Sequence, residues 1–165
     1  MTTFINILKQ ADIFYGMNAT QLELVANLCT ARNFESGQII FDEGTSSDEL
    51  YIIDQGEVDI LVNPALVSPH PDQEYASATI ATLRRGQSFG EIALVDRGMR
   101  SATARAAQPN TRLLELSSDR LMKLCDNHPE FGYRLMHNLA ADLALKMRST
   151  DLRIREELLY GSGKK

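Results

Sequence analysis

Apolar residues recur at helical spacing towards both ends of this chain and at strand spacing through its middle. Phe4, Ile5, Ile7 and Leu8 mark a short helix from Thr3 to Gln10. After a turn at Phe14-Tyr15-Gly16, Asn18 with Gln21 three residues on has the form of a capping box. Leu22, Leu24, Val25 and Leu28 then carry a helix to about Cys29. From Arg32 the period becomes extended. Phe34 to Phe41 reads strand, glycine turn, strand, and Asp42 to Asp48 turns again. Leu50 to Ile53 and Val58 to Val62 are strands, the second alternating as a half-buried strand does, and Asp54-Gln55-Gly56-Glu57 between them is a hairpin signal. Pro64, Pro69 and Pro71 forbid a regular ladder between Asn63 and Tyr75, which predicts a loop extending a hairpin, with His70 exposed on it. Thr79 to Leu83 and Thr111 to Leu116 complete the strands.

The helical period returns at Ser117 or Ser118, a cap for a helix bearing Leu121, Leu124 and Cys125. Asn127-His128-Pro129 ends it, and Pro129 suits the first turn of another. That last helix is expected to run from Pro129 to Tyr160, about 45 Å at 1.5 Å per residue, with Gly161-Ser162-Gly163 as its stop. Met136, Ala140, Leu143, Met147, Thr150, Ile154 and Leu158 fall at alternating steps of four and three, the spacing of a coiled-coil seam. Self-pairing into a parallel dimer is expected, with folding back on its own domain as the alternative. Residues 1–128 form one expected unit and 129–165 a second, helical one.

The stretch from Arg84 to Ala106 combines turn chemistry with candidate ligand chemistry. Gly86 and Gly90 bracket Phe89, one apolar turn follows at Ile92-Ala93-Leu94-Val95, and the chain extends again through Arg100. So short a helix leaves its leading N–H groups unpaired, which suits an anion, and Gly90 allows close approach to the backbone. A guanidinium matches a phosphate in bidentate fashion, and a carboxylate accepts hydrogen bonds from sugar hydroxyls. Arg100 follows Glu91 by nine positions, so a loop and turn can bring both to one pocket. The ligand implied is anion and sugar at once.

Phe89-Gly90-Glu91-x-Ala93-Leu94, followed by Arg100-Ser101-Ala102-Thr103-x-x-Ala106, resembles the phosphate-binding cassette of the cyclic nucleotide-binding domain family. That family includes catabolite activator protein, the regulatory subunits of protein kinase A and cyclic-nucleotide-gated channels. Met99 stands where the family often has proline. The resemblance implies a mainly β fold with helices (α+β): a β-roll, or double-stranded jelly roll, flanked by N-terminal helices and a long C-terminal helix. Gly37, Gly44, Gly56 and Gly86 fall at its corners. It further implies that Phe89 and Gly90 and the amides of Glu91, Ile92 and Ala93 face a cyclic phosphate. Arg100 would bind the exocyclic oxygens, Glu91 the ribose 2′-hydroxyl, and Ser101 would add a hydroxyl near phosphate and base. Thr150 and Asp151 match a polar pair that contacts the purine from the dimer helix.

Composition narrows the alternatives. The 165 residues are 44% hydrophobic, enough for one domain with a core. A net charge of −5 and a pI near 5.2 argue against a nucleic-acid surface. Arg84-Arg85 and Lys164-Lys165 are too sparse to reverse that. Cys29 and Cys125 read as single buried thiols in a reducing compartment, and no leader or 18-residue apolar stretch is present, so a soluble cytoplasmic protein is expected. The expected function is a non-enzymatic sensor or regulatory domain in signal transduction. Its ligand is expected to be cyclic AMP first and cyclic GMP as the open alternative, with an unidentified effector protein and no metal or other cofactor. A catabolite-activator type would continue into a helix-turn-helix, whereas this chain stops at Lys165. It is therefore expected to act without DNA-binding domain or membrane, or to be the regulatory half of something longer. A cupin-like metalloenzyme would need several histidines on one cavity, and only His70, His128 and His137 exist. A nucleotide-independent interaction roll is the remaining alternative. Against it stands the cost of a pocket arginine lacking its anion.

Overall fold

The computed structural model describes residues 2–67, 75–96 and 98–160. Helix α1 (Thr2–Leu8) and a 3-10 turn (Asp12–Phe14) lead to α2 (Ala19–Ala26). Its capping box is formed as read: Gln21 N–H donates to Asn18 Oδ1 at 2.9 Å, and Asn18 N–H to Gln21 Oε1 at 3.0 Å. Eight strands follow: β1 (Thr30–Phe34), β2 (Ile39–Phe41), β3 (Glu49–Gln55), β4 (Glu57–Val62), β5 (Ala78–Arg84), β6 (Ser88–Phe89), β7 (Thr103–Ala106) and β8 (Thr111–Ser117). They make two antiparallel four-stranded sheets, β1-β8-β3-β6 and β2-β7-β4-β5, the β-roll expected. Helices α3 (Ser118–Asn127) and α4 (Pro129–Tyr160) close the chain, α4 with the bounds read from its period. His70, Pro69, Pro71 and the tail from Gly161 lie outside the described residues.

One turn behaves differently from its sequence signal. Asp54 to Glu57 does not join a hairpin, because β3 and β4 belong to different sheets. Both edges of β3 are filled by β8 and β6, and both edges of β4 by β7 and β5, so Gly56 carries the chain round a corner between layers. Asp54 is consequently a buried residue at the end of β3, paired with Arg112 at 2.5 Å. The hairpin proper is β4–β5, with Pro64–Val67 making a 3-10 turn at its far end.

Strands β3 and β8 run between two cores, which explains their near-continuous apolar sequence. Side chains alternate across a strand, so Tyr51, Ile53 and Leu113 face the interior of the roll with Phe34, Val58, Phe89, Ala104 and Ala106. Leu50, Ile52, Leu114 and Leu116 face the helices. There they meet Ile7, Leu8, Phe14 and Leu22 from the N-terminal elements and Phe131, Leu135 and Leu139 from α4. Asn138 Nδ2 adds bonds to the carbonyls of Ile13 and Tyr15 at 3.1 and 2.9 Å. The first half of α4 is thus fixed. From Leu145 onward its large apolar side chains (Met147, Leu152, Ile154, Leu158, Leu159) are exposed.

Burial pushes the Cys29 thiol up to about 12 and, with Asp126 adding to it, the Cys125 thiol to about 11. Neither is a nucleophile near neutrality, since the thiolate is the reactive form.

Candidate functional site

The site begins with Gly90, read from sequence as allowing close approach to the backbone. Gly90 has φ +77°, a left-handed conformation, and ends β6 at the start of a 3-10 turn (Glu91–Leu94). A Cβ there would sit 2.7 Å from Arg100 Nη1 and 2.9 Å from the Glu49 carbonyl oxygen. Both backbone geometry and space therefore exclude a side chain. The turn is a single apolar coil, as its length predicted, and its leading N–H groups have no partner inside it.

Arg100 reaches the same point from the segment that leads into β7. Thr45 and Arg100 exchange backbone bonds with the Gly44 turn: Arg100 N–H donates to the Thr45 carbonyl and Gly44 N–H to the Arg100 carbonyl, both at 2.8 Å. Its guanidinium is buried, and each of its three nitrogens donates one hydrogen bond. Nε donates to Ser47 Oγ at 2.7 Å, Nη2 to the Glu49 carbonyl at 2.7 Å, and Nη1 to the Gly90 carbonyl at 3.3 Å. The Glu49 carboxylate stands 3.7 Å away, and the Phe41 ring lies under the cation at 4.1 Å. Burial lowers the Arg100 pKa, and Tyr51, Glu49, Asp48 and Glu91 push it back only in part. Arginine remains charged under all these conditions. This corrects one inference drawn from sequence: Arg100 is not an unpaired charge without an anion, because main-chain carbonyls satisfy it. Its presence alone does not exclude a ligand-free roll.

Phe89 is buried, stacked on Tyr51 at 5.2 Å between ring centres and tilted against Phe41 at 5.9 Å. Phe41 and Phe89, but not Tyr51, line a cavity of about 410 Å³. Of the residues singled out from sequence, Phe89, Gly90, Glu91, Ile92, Arg100, Ser101 and Thr150 line it. Ala93 belongs to the 3-10 turn. Asp151 is not brought there: successive helical residues diverge by about 100°, so it is exposed on another face while Thr150 faces in. The seam divides likewise. Met136 and Leu143 pack on the core, Thr150 lines the cavity, and Met147, Ile154 and Leu158 are exposed.

The opposite wall is α4, and it carries the residues that sequence reading missed. Asp142, Leu145, Lys146, Ser149, Thr150 and Arg153 share one helix face over the cavity. Lys146 Nζ contacts Glu91 Oε1 at 2.6 Å and Asp142 Oδ2 at 2.8 Å. Burial by itself lowers the Lys146 pKa, but Glu91 and Asp142 raise it further than that, so it lies above its ordinary value. Arg153 Nη1 donates to the Ile80 carbonyl of β5 at 2.6 Å, fastening the helix across the roll. Counting back one turn from Thr150 finds Lys146, but a lone cation on a helix is not otherwise distinguishable from a solvated one. Among the described residues no three histidine, cysteine or carboxylate side chains stand close enough to hold a metal ion. A more open hollow of about 550 Å³ between Gly16 and Tyr133 lies away from all of these.

The family profile described as "Cyclic nucleotide-binding domain" matches residues 31–128. The chain belongs to that family. It is 31% identical to the "Cyclic AMP receptor protein" of Thermus thermophilus, over 89% of this chain and 62% of that one. It is 25% identical to "cGMP-dependent protein kinase, isozyme 1" of Drosophila melanogaster, over 90% of this chain and 19% of that one. The chain therefore spans less than two thirds of these relatives. A solved cyclic nucleotide-binding domain from Methylobacillus flagellatus shares the fold, with a TM-score of 0.78 at 24% identity, covering 94% of this chain and 83% of that one. The matched segment contains the whole cassette but not the α4 wall of the cavity.

Replacing Gly90 by alanine is expected to lower stability by about 1–3 kcal/mol, read as a fall in the urea midpoint at constant slope. An unchanged midpoint would mean that the close approach of Arg100 and Glu49 is not maintained in solution.

Proposed function

We propose that this protein is a non-enzymatic, cytoplasmic sensor of a cyclic mononucleotide, with cyclic AMP as first ligand and cyclic GMP as the alternative. The observation that carries the reading is the meeting of Gly90, Glu91 and Arg100 at one end of a cavity whose other wall is α4. At about 410 Å³ that cavity falls in the usual size range for small-molecule sites. The name of the Thermus relative supports cyclic AMP, and the name of the Drosophila relative keeps cyclic GMP in view.

In this reading the phosphate binds between Arg100 and the amides of residues 91–93, taking up guanidinium bonds that the Gly90 and Glu49 carbonyls now hold. Glu91 accepts the ribose 2′-hydroxyl, Ser101 donates near phosphate and base, and Thr150 meets the purine. Residues 1–128 are the binding unit and α4 the output element, read by an effector protein. Because the cassette and α4 touch the ligand together, the ligand favours whichever helix position completes both sets of contacts. That difference in contacts is what shifts the population. Asp151, on the outward face, is available to a paired helix rather than to this cavity. A nucleotide-independent interaction roll is favoured by one observation, the internal satisfaction of Arg100.

Thermal unfolding separates the two. Cyclic AMP or cyclic GMP at a hundredfold excess over Kd should add about 2.7 kcal/mol, and Arg100→Ala should abolish most of that gain. No stabilisation by either nucleotide leaves the interaction roll. A homodimer through the distal part of α4 is supported by its exposed Met147, Ile154 and Leu158. Sedimentation should give twice the 18.4 kDa of one chain, and the double change Ile154→Asp, Leu158→Asp should give one. A wild-type monomer at high micromolar concentration contradicts the dimer and leaves the sensor intact.

A further inference from the structure

Glu91 touches the long helix through a single side chain. The carboxylate is buried, with 7% of its side chain exposed, and among the described residues its one side-chain partner is Lys146, 55 positions later in the chain. That bond uses Oε1 and leaves Oε2 without a hydrogen-bond partner among the described residues. Lys146 is held in turn by Asp142, one turn earlier on α4. The three side chains form a line from the helix backbone to the cassette.

We propose that Lys146 is a positioning residue of the sugar subsite, aiming the Glu91 carboxylate at the 2′-hydroxyl of a cyclic ribonucleotide so that ribose recognition requires a docked α4. The assignment rests on the reading of Glu91 as the ribose-binding carboxylate.

A glutamate has three side-chain torsions, and among the described residues no cassette group hydrogen-bonds the Glu91 carboxylate to fix the last two. A site holds its ligand only when its polar groups are locked by supporting partners. Lys146 supplies that lock and compensates the buried charge, which would otherwise carry a desolvation cost. Its ammonium has three donors and no acceptor, while a hydroxyl both donates and accepts. The 2′-hydroxyl can therefore donate to Oε2 and accept from Nζ without displacing the Lys146–Glu91 bond. A 2′-deoxynucleotide has neither contact to make. It keeps the phosphate and base contacts, and so is blind to Lys146. A latch in which Lys146 occupies the acceptor that the ribose needs predicts the opposite sign, because removing the lysine would then strengthen ribonucleotide binding.

Calorimetry on the full chain, with cyclic AMP, cyclic GMP and the 2′-deoxy form of whichever binds, separates these roles. A hydrogen bond to a charged group corresponds to about a tenfold effect or more. Wild type should prefer the ribonucleotide by about that factor, and Lys146→Met should lose about tenfold for it. The 2′-deoxy affinity of the same variant should change less than about twofold, which also shows that the variant is folded. Lys146→Arg should restore part of the preference. An equal loss for both nucleotides, an unchanged ratio, or a gain in ribonucleotide affinity overturns the assignment while leaving the sensor reading standing. A wild type that binds neither nucleotide overturns the sensor reading and this assignment together.

Discussion

The structure depends on how a guanidinium is accommodated inside a β-roll. Arg100 is buried, so its donors must be matched, and the matching groups are main-chain carbonyls of Glu49 and Gly90 with the Ser47 hydroxyl. Those bonds tie the end of β6 to the start of β3 across the space that a Cβ on Gly90 would fill. The rings of Phe41, Tyr51 and Phe89 pack on one another, and Phe41 places a π-face under the cation. A charge held this way is stable, yet its bonds to neutral carbonyls are weaker than those an anion would offer. The same arrangement can therefore hold the roll together without ligand and yield when a phosphate arrives.

In the proposed sensor, the second wall is what couples the cavity to the long helix. Helix α4 is anchored by Phe131, Leu135 and Leu139 in the helical core, then leaves that core and crosses the cavity mouth. Over this second part its contacts are polar: Lys146 to Glu91 and Arg153 to the Ile80 carbonyl. Long, partly exposed polar links of this kind exchange more readily than packed leucines do. The boundary between the core-packed and the polar-linked parts of α4 falls between Leu143 and Lys146, beside the cavity. In the proposed sensor, a ligand on Glu91 acts through Lys146 on this polar-linked part of the helix.

Much of this was legible because it rests on local rules. The capping box at Asn18, the corner glycines and the extent of α4 follow from backbone geometry and period, and each appears as read. The alternation in Val58 to Val62 does not, because a register shift between Ile60 and Leu61 buries Leu61 and leaves Ile60 and Val62 half-buried. The cassette was legible as a motif, and its residues converge on one cavity. Three further features were not, each because it depends on distant pairing. The Asp54–Glu57 turn carries the ordinary hairpin signal, but which sheet each strand joins is decided by β7 and β8, some fifty residues on. The partners of Arg100 are mostly carbonyls, which no side-chain pattern records. Lys146 reads as surface until the helix is laid across the roll, and Asp151 reads as a partner of Thr150 until the helical turn separates them.

The central claim is that Arg100 exchanges backbone carbonyls for a cyclic phosphate while Glu91 holds the sugar. A crystal structure of the chain with bound cyclic nucleotide tests it most directly. The account predicts the phosphate between the Arg100 guanidinium and the amides of residues 91–93, with the ribose 2′-hydroxyl on Glu91 and α4 over the base. A nucleotide lodged elsewhere, with Arg100 still bonded to the Glu49 and Gly90 carbonyls, would contradict it.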